Sequence, residues 1–310
     1  MTPTSQQRPI GVFDSGIGGL SVLRALQAEL PHERFVYLAD SGHAPYGERG
    51  DAYVAARTHA ITRYLQAVHG IKALVVACNT ATAAAIHEVR TQCPDLPLVG
   101  LEPAIKPAVA LSQTGRIGVI GTRGTLTSGK FALLLGSLQS QAEFVVQPCD
   151  GLAYAIERST EHAVPEAAES SEVRELCTRY ITAMGAFGTT AGHIDTLVLG
   201  CTHYVFAEEE LRALIGPAVR LVDTGEPVAR QTRRLLQATG LLADPCEIPA
   251  ACDRMQLITT GSLLPLQAAA QRWLQLPARC CSTATVPADG AGAGAGAGAM
   301  VHEANRAPAQ

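Results

Sequence analysis

Two similar α/β units, each a parallel sheet covered by helices, are predicted from three observations. Short apolar runs alternate with helical stretches from Ile10 onward, and that alternation starts afresh near Arg116. Two segments also recur in the same order. Ile10-Gly11-Val12 returns as Ile117-Gly118-Val119, and Leu74-Val75-Val76-Ala77-Cys78-Asn79-Thr80 returns as Leu197-Val198-Leu199-Gly200-Cys201-Thr202-His203. One such pair arises easily by chance, but two in the same order point to duplication.

The elements follow from the pattern. Residues 1–7 are polar and expected to be disordered. A buried strand over 10–13 leads through the Gly-rich turn Asp14-Ser15-Gly16-Ile17-Gly18-Gly19 into a helix over 20–30, which Pro31 ends. Strand 35–38 precedes the loop from Ala39 to Gly47. Helix 52–69, strand 73–77, helix 82–91 and a short strand at 98–99 complete the first run. In the second run, strand 116–120 enters a helix reaching about 138. Strand 142–146, helix 170–187 and strand 196–199 come next. Apolar 221–222, helix 227–239, strand 255–259 and helix 265–273 follow. Residues 282–310 contain an alternating Ala/Gly run with almost no side chain to bury, and are expected to form a flexible tail.

Composition excludes several classes. The 310 residues carry 24 Lys+Arg against 28 Asp+Glu, a net charge of −4, so no basic excess exists for tracking a phosphate backbone. Nucleic acid is therefore not expected as a partner. The longest apolar runs are far too short to span a bilayer, and the N-terminus lacks the apolar stretch of a signal peptide. A cytoplasmic protein without a membrane partner is expected. Only Lys72, Lys106 and Lys130 are available for a pyridoxal phosphate Schiff base. Nine cysteines, an odd count with no Cys-x-x-Cys pair, suggest neither a zinc framework nor a disulfide framework. They are expected to be free thiols in a reducing compartment.

Chemistry is expected where parallel strands end, since α/β sheets bind ligands beyond their carboxyl edges. Cys78 and Cys201 both fall there, each before an expected helix whose first N–H groups favour negative charge. An ordinary thiol titrates at about 8.5 and needs only a small shift to act as acid or base near neutrality. Alone, either cysteine reads as a packing residue. Paired in matching contexts from two similar halves, they suit inversion at a carbon, one thiolate removing a proton and the opposing thiol supplying another.

These stretches resemble bacterial glutamate racemases, members of the cofactor-independent aspartate/glutamate racemase superfamily. The resemblance rests on Ile10–Leu20, the loop Tyr37–Gly47, Val76–Thr82, Leu199–Tyr204 and the LVDTGE run at Leu221–Glu226, and it extends from about residue 9 to about 275. It implies two α/β domains facing each other across the active site. Residues 8–102 plus 222–277 would form the first, and 103–221 the second. It further implies interconversion of L- and D-glutamate without cofactor or metal, supplying D-glutamate for peptidoglycan, and a homodimer.

By the same resemblance Cys78 deprotonates the D isomer and Cys201 the L isomer. Asp14, Glu157 and His203 would support them. Asp14, Ser15, Tyr46, Gly47, Asn79, Thr80, Thr202 and His203 would bind the substrate, with Tyr46 and Gly47 at its side-chain carboxylate. An aspartate racemase of the same superfamily, or an amino-acid-binding module with unreactive thiols, are the alternatives.

Overall fold

The computed structural model describes residues 5–160, 169–244 and 251–288. Its ten strands are β1 (Ile10–Asp14), β2 (Phe35–Ala39), β3 (Ala73–Val76), β4 (Leu98–Gly100), β5 (Arg116–Gly121), β6 (Glu143–Pro148), β7 (Thr196–Gly200), β8 (Arg220–Val222), β9 (Met255–Thr259) and β10 (Cys281–Thr283). They form two sheets, ordered β10-β9-β2-β1-β3-β4 and β6-β5-β7-β8, with every pairing parallel. The four-strand order β2-β1-β3-β4 repeats in the second sheet as β6-β5-β7-β8. The two recurrent sequence segments therefore occupy equivalent places, at the central strands β1 and β5 and their neighbours β3 and β7. The chain leaves the first sheet after β4, builds all of the second, and returns with β9 and β10.

Alternate residues of each strand enter opposite faces. Val12, Tyr37 and Val75 pack on the helices Leu20–Glu29, Gly225–Ala238 and Leu263–Leu274, whereas Phe13, Leu38 and Val76 pack on Asp51–His69 and Asn79–Gln92. Both faces are covered, which is why these strands read as unbroken apolar runs. The second sheet is sandwiched likewise. Among the described residues no helix is long and apolar enough to cross a membrane.

Several expectations need correction. Ser5–Gln7, within the segment expected to be disordered, forms a short turn whose Gln6 carbonyl accepts from Lys72 Nζ at 2.6 Å. The single helix expected up to 138 is two, Arg123–Leu126 and Gly129–Gly136, because the Ser128 hydroxyl accepts from Phe131 N–H and starts a new helix. The helix expected over 170–187 is Glu169–Ala183 and stops before Gly185, whose φ of 101° a helix cannot use.

The tail begins later than expected. Residues 281–283 are β10, which covers the open edge of β9, and Val286 is buried against the first sheet. Residues 289–310, with the Ala/Gly run, lie outside the described residues. Nor are all cysteines free, since Cys252 and Cys280 form a disulfide closing a 28-residue separation. Cysteine count, spacing and compartment say nothing about which side chains adjoin in the fold. Titration of the denatured, unreduced chain should find at most seven of the nine thiols. Nine reactive thiols would mean that the pair does not form.

Candidate functional site

The carboxyl ends of β1, β3, β5 and β7 converge on one cavity, with Cys78 just after β3 and Cys201 just after β7. Every residue singled out from the sequence lines it: Asp14, Ser15, Tyr46, Gly47, Cys78, Asn79 and Thr80 on one side, and Glu157, Cys201, Thr202 and His203 on the other. The space open to the centre of a water-sized molecule is about 50 Å³. Since roughly 10–15 Å³ holds one water, this space suits a few waters or one small molecule.

On the first side, Cys78 has extended backbone and caps the helix Asn79–Gln92, its Sγ accepting from Ala81 N–H at 3.5 Å. The thiol also lies 3.7 Å from Ser15 Oγ, to which it donates. Ser15 N–H in turn donates to Asp14 Oδ1 at 2.7 Å. The second Asp14 oxygen accepts from Gly19 N–H and, at 3.2 Å, from the Thr202 hydroxyl of the other side. Asp14 thus ties the turn ahead of the helix Leu20–Glu29 to the second sheet. Burial raises the Asp14 carboxyl above its ordinary range although positive charge on His203 and the Ser15 N–H oppose it. Burial also pushes the Cys78 thiol far up, and the negative charge of Asp14 adds to that. Both effects favour the protonated thiol at Cys78.

The second side is built differently. Cys201 precedes a six-residue 3-10 turn, Thr202–Ala207, and the helix expected there starts only at Glu208. The local charge comes instead from a side chain. Cys201 Sγ lies 3.8 Å from His203 Nδ1, and His203 Nε2 lies 2.6 Å from Glu157 Oε2. Burial opposes charge on the imidazole, but Cys201 and the Glu157 carboxylate overcome it and hold His203 well above its usual value. Glu157 stays below its usual value despite burial, because His203, Ile17 N–H and the Ser41 hydroxyl all donate to it. These shifts favour the charged form of His203 between the Glu157 carboxylate and Cys201.

The remaining groups line the cavity or join its two sides. Both polar atoms of the Asn79 amide are buried without a hydrogen-bond partner, a costly arrangement unless a ligand meets them. Thr80 Oγ1 lies 3.0 Å from Thr122 Oγ1, bridging the two sides. The Tyr46 hydroxyl donates to Asp40 at 2.6 Å, so this residue presents ring and backbone to the cavity. Gly47 abuts Thr122 so closely that an added Cβ would lie 2.9 Å from the Thr122 Cβ.

Sequence reasoning did not single out Cys149, which lines the cavity, or Ser41, which holds Glu157. The position of Ser41 in a polar loop at a strand's carboxyl end was the available signal. Cys149, directly after β6, carried the same positional signal. None of the three lysines lines the cavity. Among the described residues no group of three or more His, Cys, Asp or Glu is arranged to hold a metal ion.

Comparison with known proteins agrees with this geometry. A glutamate racemase of Ectopseudomonas mendocina is 49% identical over 237 residues, 76% of this chain and 85% of its own length. The crystal structure of a glutamate racemase isoform from Bacillus anthracis superposes with a TM-score of 0.75 at 30% identity, over 92% of this chain and 99% of that one. The glutamate racemase of Francisella tularensis, crystallised with D-glutamate, gives 0.72 at 26%, over 91% and 98%. Residues 11–232, which carry both thiols and all their partners, match the Asp/Glu/Hydantoin racemase family, and this chain belongs to it.

Proposed function

We propose that this chain interconverts L- and D-glutamate without a cofactor, using Cys78 and Cys201 as opposed acid/base groups. One observation carries the reading: two buried thiols follow equivalent strands of two like-ordered sheets and line one small cavity. The D-glutamate bound by the Francisella tularensis relative supports the choice of amino acid. In the L-to-D direction the Cys201 thiolate removes the Cα proton and the Cys78 thiol donates its own to the opposite face. This leaves Cys201 protonated and Cys78 as thiolate, the state that processes D-glutamate. The His203 imidazolium puts positive charge beside the sulfur that takes and returns the proton. Asn79, Thr80 and Thr202 offer donors to the α-carboxylate, Asp14 a counter-charge to the ammonium, and the backbone at Tyr46 and Gly47 the contact to the side-chain carboxylate.

A cytoplasmic homodimer supplying D-glutamate for peptidoglycan, and so for cell shape, is the setting that fits this activity. The two units would comprise residues 8–102 with 222–277, and 103–221. Chiral analysis of products from L-glutamate and from L-aspartate tests the activity. D-glutamate should form at a much higher kcat/KM than D-aspartate. Preferential turnover of aspartate, or none of either, would contradict the reading.

The Glu157–His203 pair gives a pH-dependent prediction. The raised value of His203 means that its contribution to stability is complete below about 6.5, its unfolded value, and fades as pH rises through the folded one. The lowered value of Glu157 means that its contribution is complete above about 4.5 and fades as pH falls through the folded one. Glu157→Gln should therefore lose about 3 kcal/mol of unfolding free energy at pH 6, as expected when one partner of a buried pair is removed. The deficit should shrink in strongly alkaline buffer. Urea denaturation of both proteins at the two pH values checks this, and a deficit independent of pH would contradict it.

A further inference from the structure

Asp40 is fully buried and its carboxylate is saturated with donors. Oδ1 accepts from Arg57 Nη2 and Thr260 Oγ1, both at 2.9 Å, and lies 3.1 Å from His43 Nδ1. Oδ2 accepts from Arg57 Nε at 3.0 Å and from the Tyr46 hydroxyl at 2.6 Å. The forked contact with Arg57 permits one carboxylate orientation, and that orientation fixes where the Tyr46 hydroxyl goes. Arg57 is itself held from behind. Its remaining nitrogen, Nη1, donates to the Val286 carbonyl at 3.2 Å. Val286 follows β10 and is buried in the core cluster that packs against the first sheet. A continuous set of hydrogen bonds therefore runs from the C-terminal segment through Arg57 and Asp40 to Tyr46.

The end of that chain is a place where small displacements matter. Tyr46 lines the cavity, and the adjoining Gly47 lies against Thr122 with no room for a Cβ. Movement of Tyr46 would alter both the cavity wall and the closure between the two sheets. A lysine at position 57 supplies one point charge and cannot make the fork and the Val286 contact together.

We propose that Arg57 and Asp40 are positioning residues, and that the Val286 carbonyl, acting through Arg57, sets how the loop at Tyr46 and Gly47 grips the substrate's side-chain carboxylate. This rests on the glutamate-racemising function proposed above. The grip exists in substrate and transition state alike, so its loss raises KM and leaves kcat nearly intact. Simple destabilisation would instead reduce the amount of active protein, lowering apparent kcat with KM unchanged.

The experiment compares the full chain, a chain ending at Ala288, a chain ending at Thr283, Arg57→Lys, and the last two combined, each verified as folded by circular dichroism. The chain ending at Ala288 retains the Val286 contact and should match the full chain. Arg57→Lys and the chain ending at Thr283 should each raise KM for L-glutamate about tenfold, with kcat within about threefold. The combined variant should be no worse than Arg57→Lys alone, because Val286 acts only through Arg57. Multiplying effects, or a fall in kcat at constant KM, would overturn the relay. Should the chain ending at Thr283 not fold, a chain ending at Thr285, which keeps the Ala284 N–H bond to the Thr259 carbonyl but lacks Val286, replaces it in the same cycle with the same outcomes. Absence of glutamate racemisation by the full chain would overturn the function itself. An active full chain with variants of unchanged KM would overturn only the relay.

Discussion

The Glu157 carboxylate reaches from the second sheet's side into the turn after β1, and the site depends on that reach. It accepts from Ile17 N–H at 3.0 Å and Ser41 Oγ at 3.1 Å on one side, and meets His203 at 2.6 Å on the other. A carboxylate this buried requires such partners, since an unpaired charge in this position would cost several kcal/mol. Its partners come from both sides of the cavity, so the charge on His203 is tied to the sides being together. The charges beside Cys201 and the joining of the two sides rest on one interaction here.

The Gly-rich turn gains its explanation from the same contact. A Cβ on Gly16 would lie 2.4 Å from Glu157 Oε2, and one on Gly18 the same distance from His203 Nδ1. Neither glycine has positive φ. They are there because groups from the opposite side occupy the space that a side chain would fill. Tyr37, whose hydroxyl donates to the Gly16 carbonyl at 2.5 Å, holds the turn from beneath.

The paired cysteines, the repeated strand segments and the polar residues after each thiol were legible because they are local patterns with fixed spacing. The parallel sheets followed from alternation alone. What the sequence did not reveal depends on pairings between distant residues. The edge-covering role of β10 is invisible until β9 has an open edge, and Cys252 meets Cys280 only after the helix Leu263–Leu274 has folded between them. Arg57 sits among the residues of a long helix and looks like a solvated charge, yet it is 7% exposed because Asp40 lies opposite. Cys201 reads as a helix start from its neighbours, but a 3-10 turn intervenes and His203 supplies the charge.

The central claim is that two thiols act from opposite faces of one carbon, and isotope incorporation tests it most directly. A thiol carries one exchangeable proton, so in D₂O the enzyme form that takes L-glutamate has deuterium on Cys78 and Cys201 as the thiolate. With L-glutamate as the starting isomer and sampling at low conversion, Cys201 removes protium while Cys78 delivers deuterium. The D-glutamate formed should be deuterated at Cα and the remaining L-glutamate largely unlabelled, with the mirror result from D-glutamate. Substantial protium in the product isomer would mean that one base serves both faces, and the assignment of Cys78 and Cys201 as a catalytic pair would be wrong.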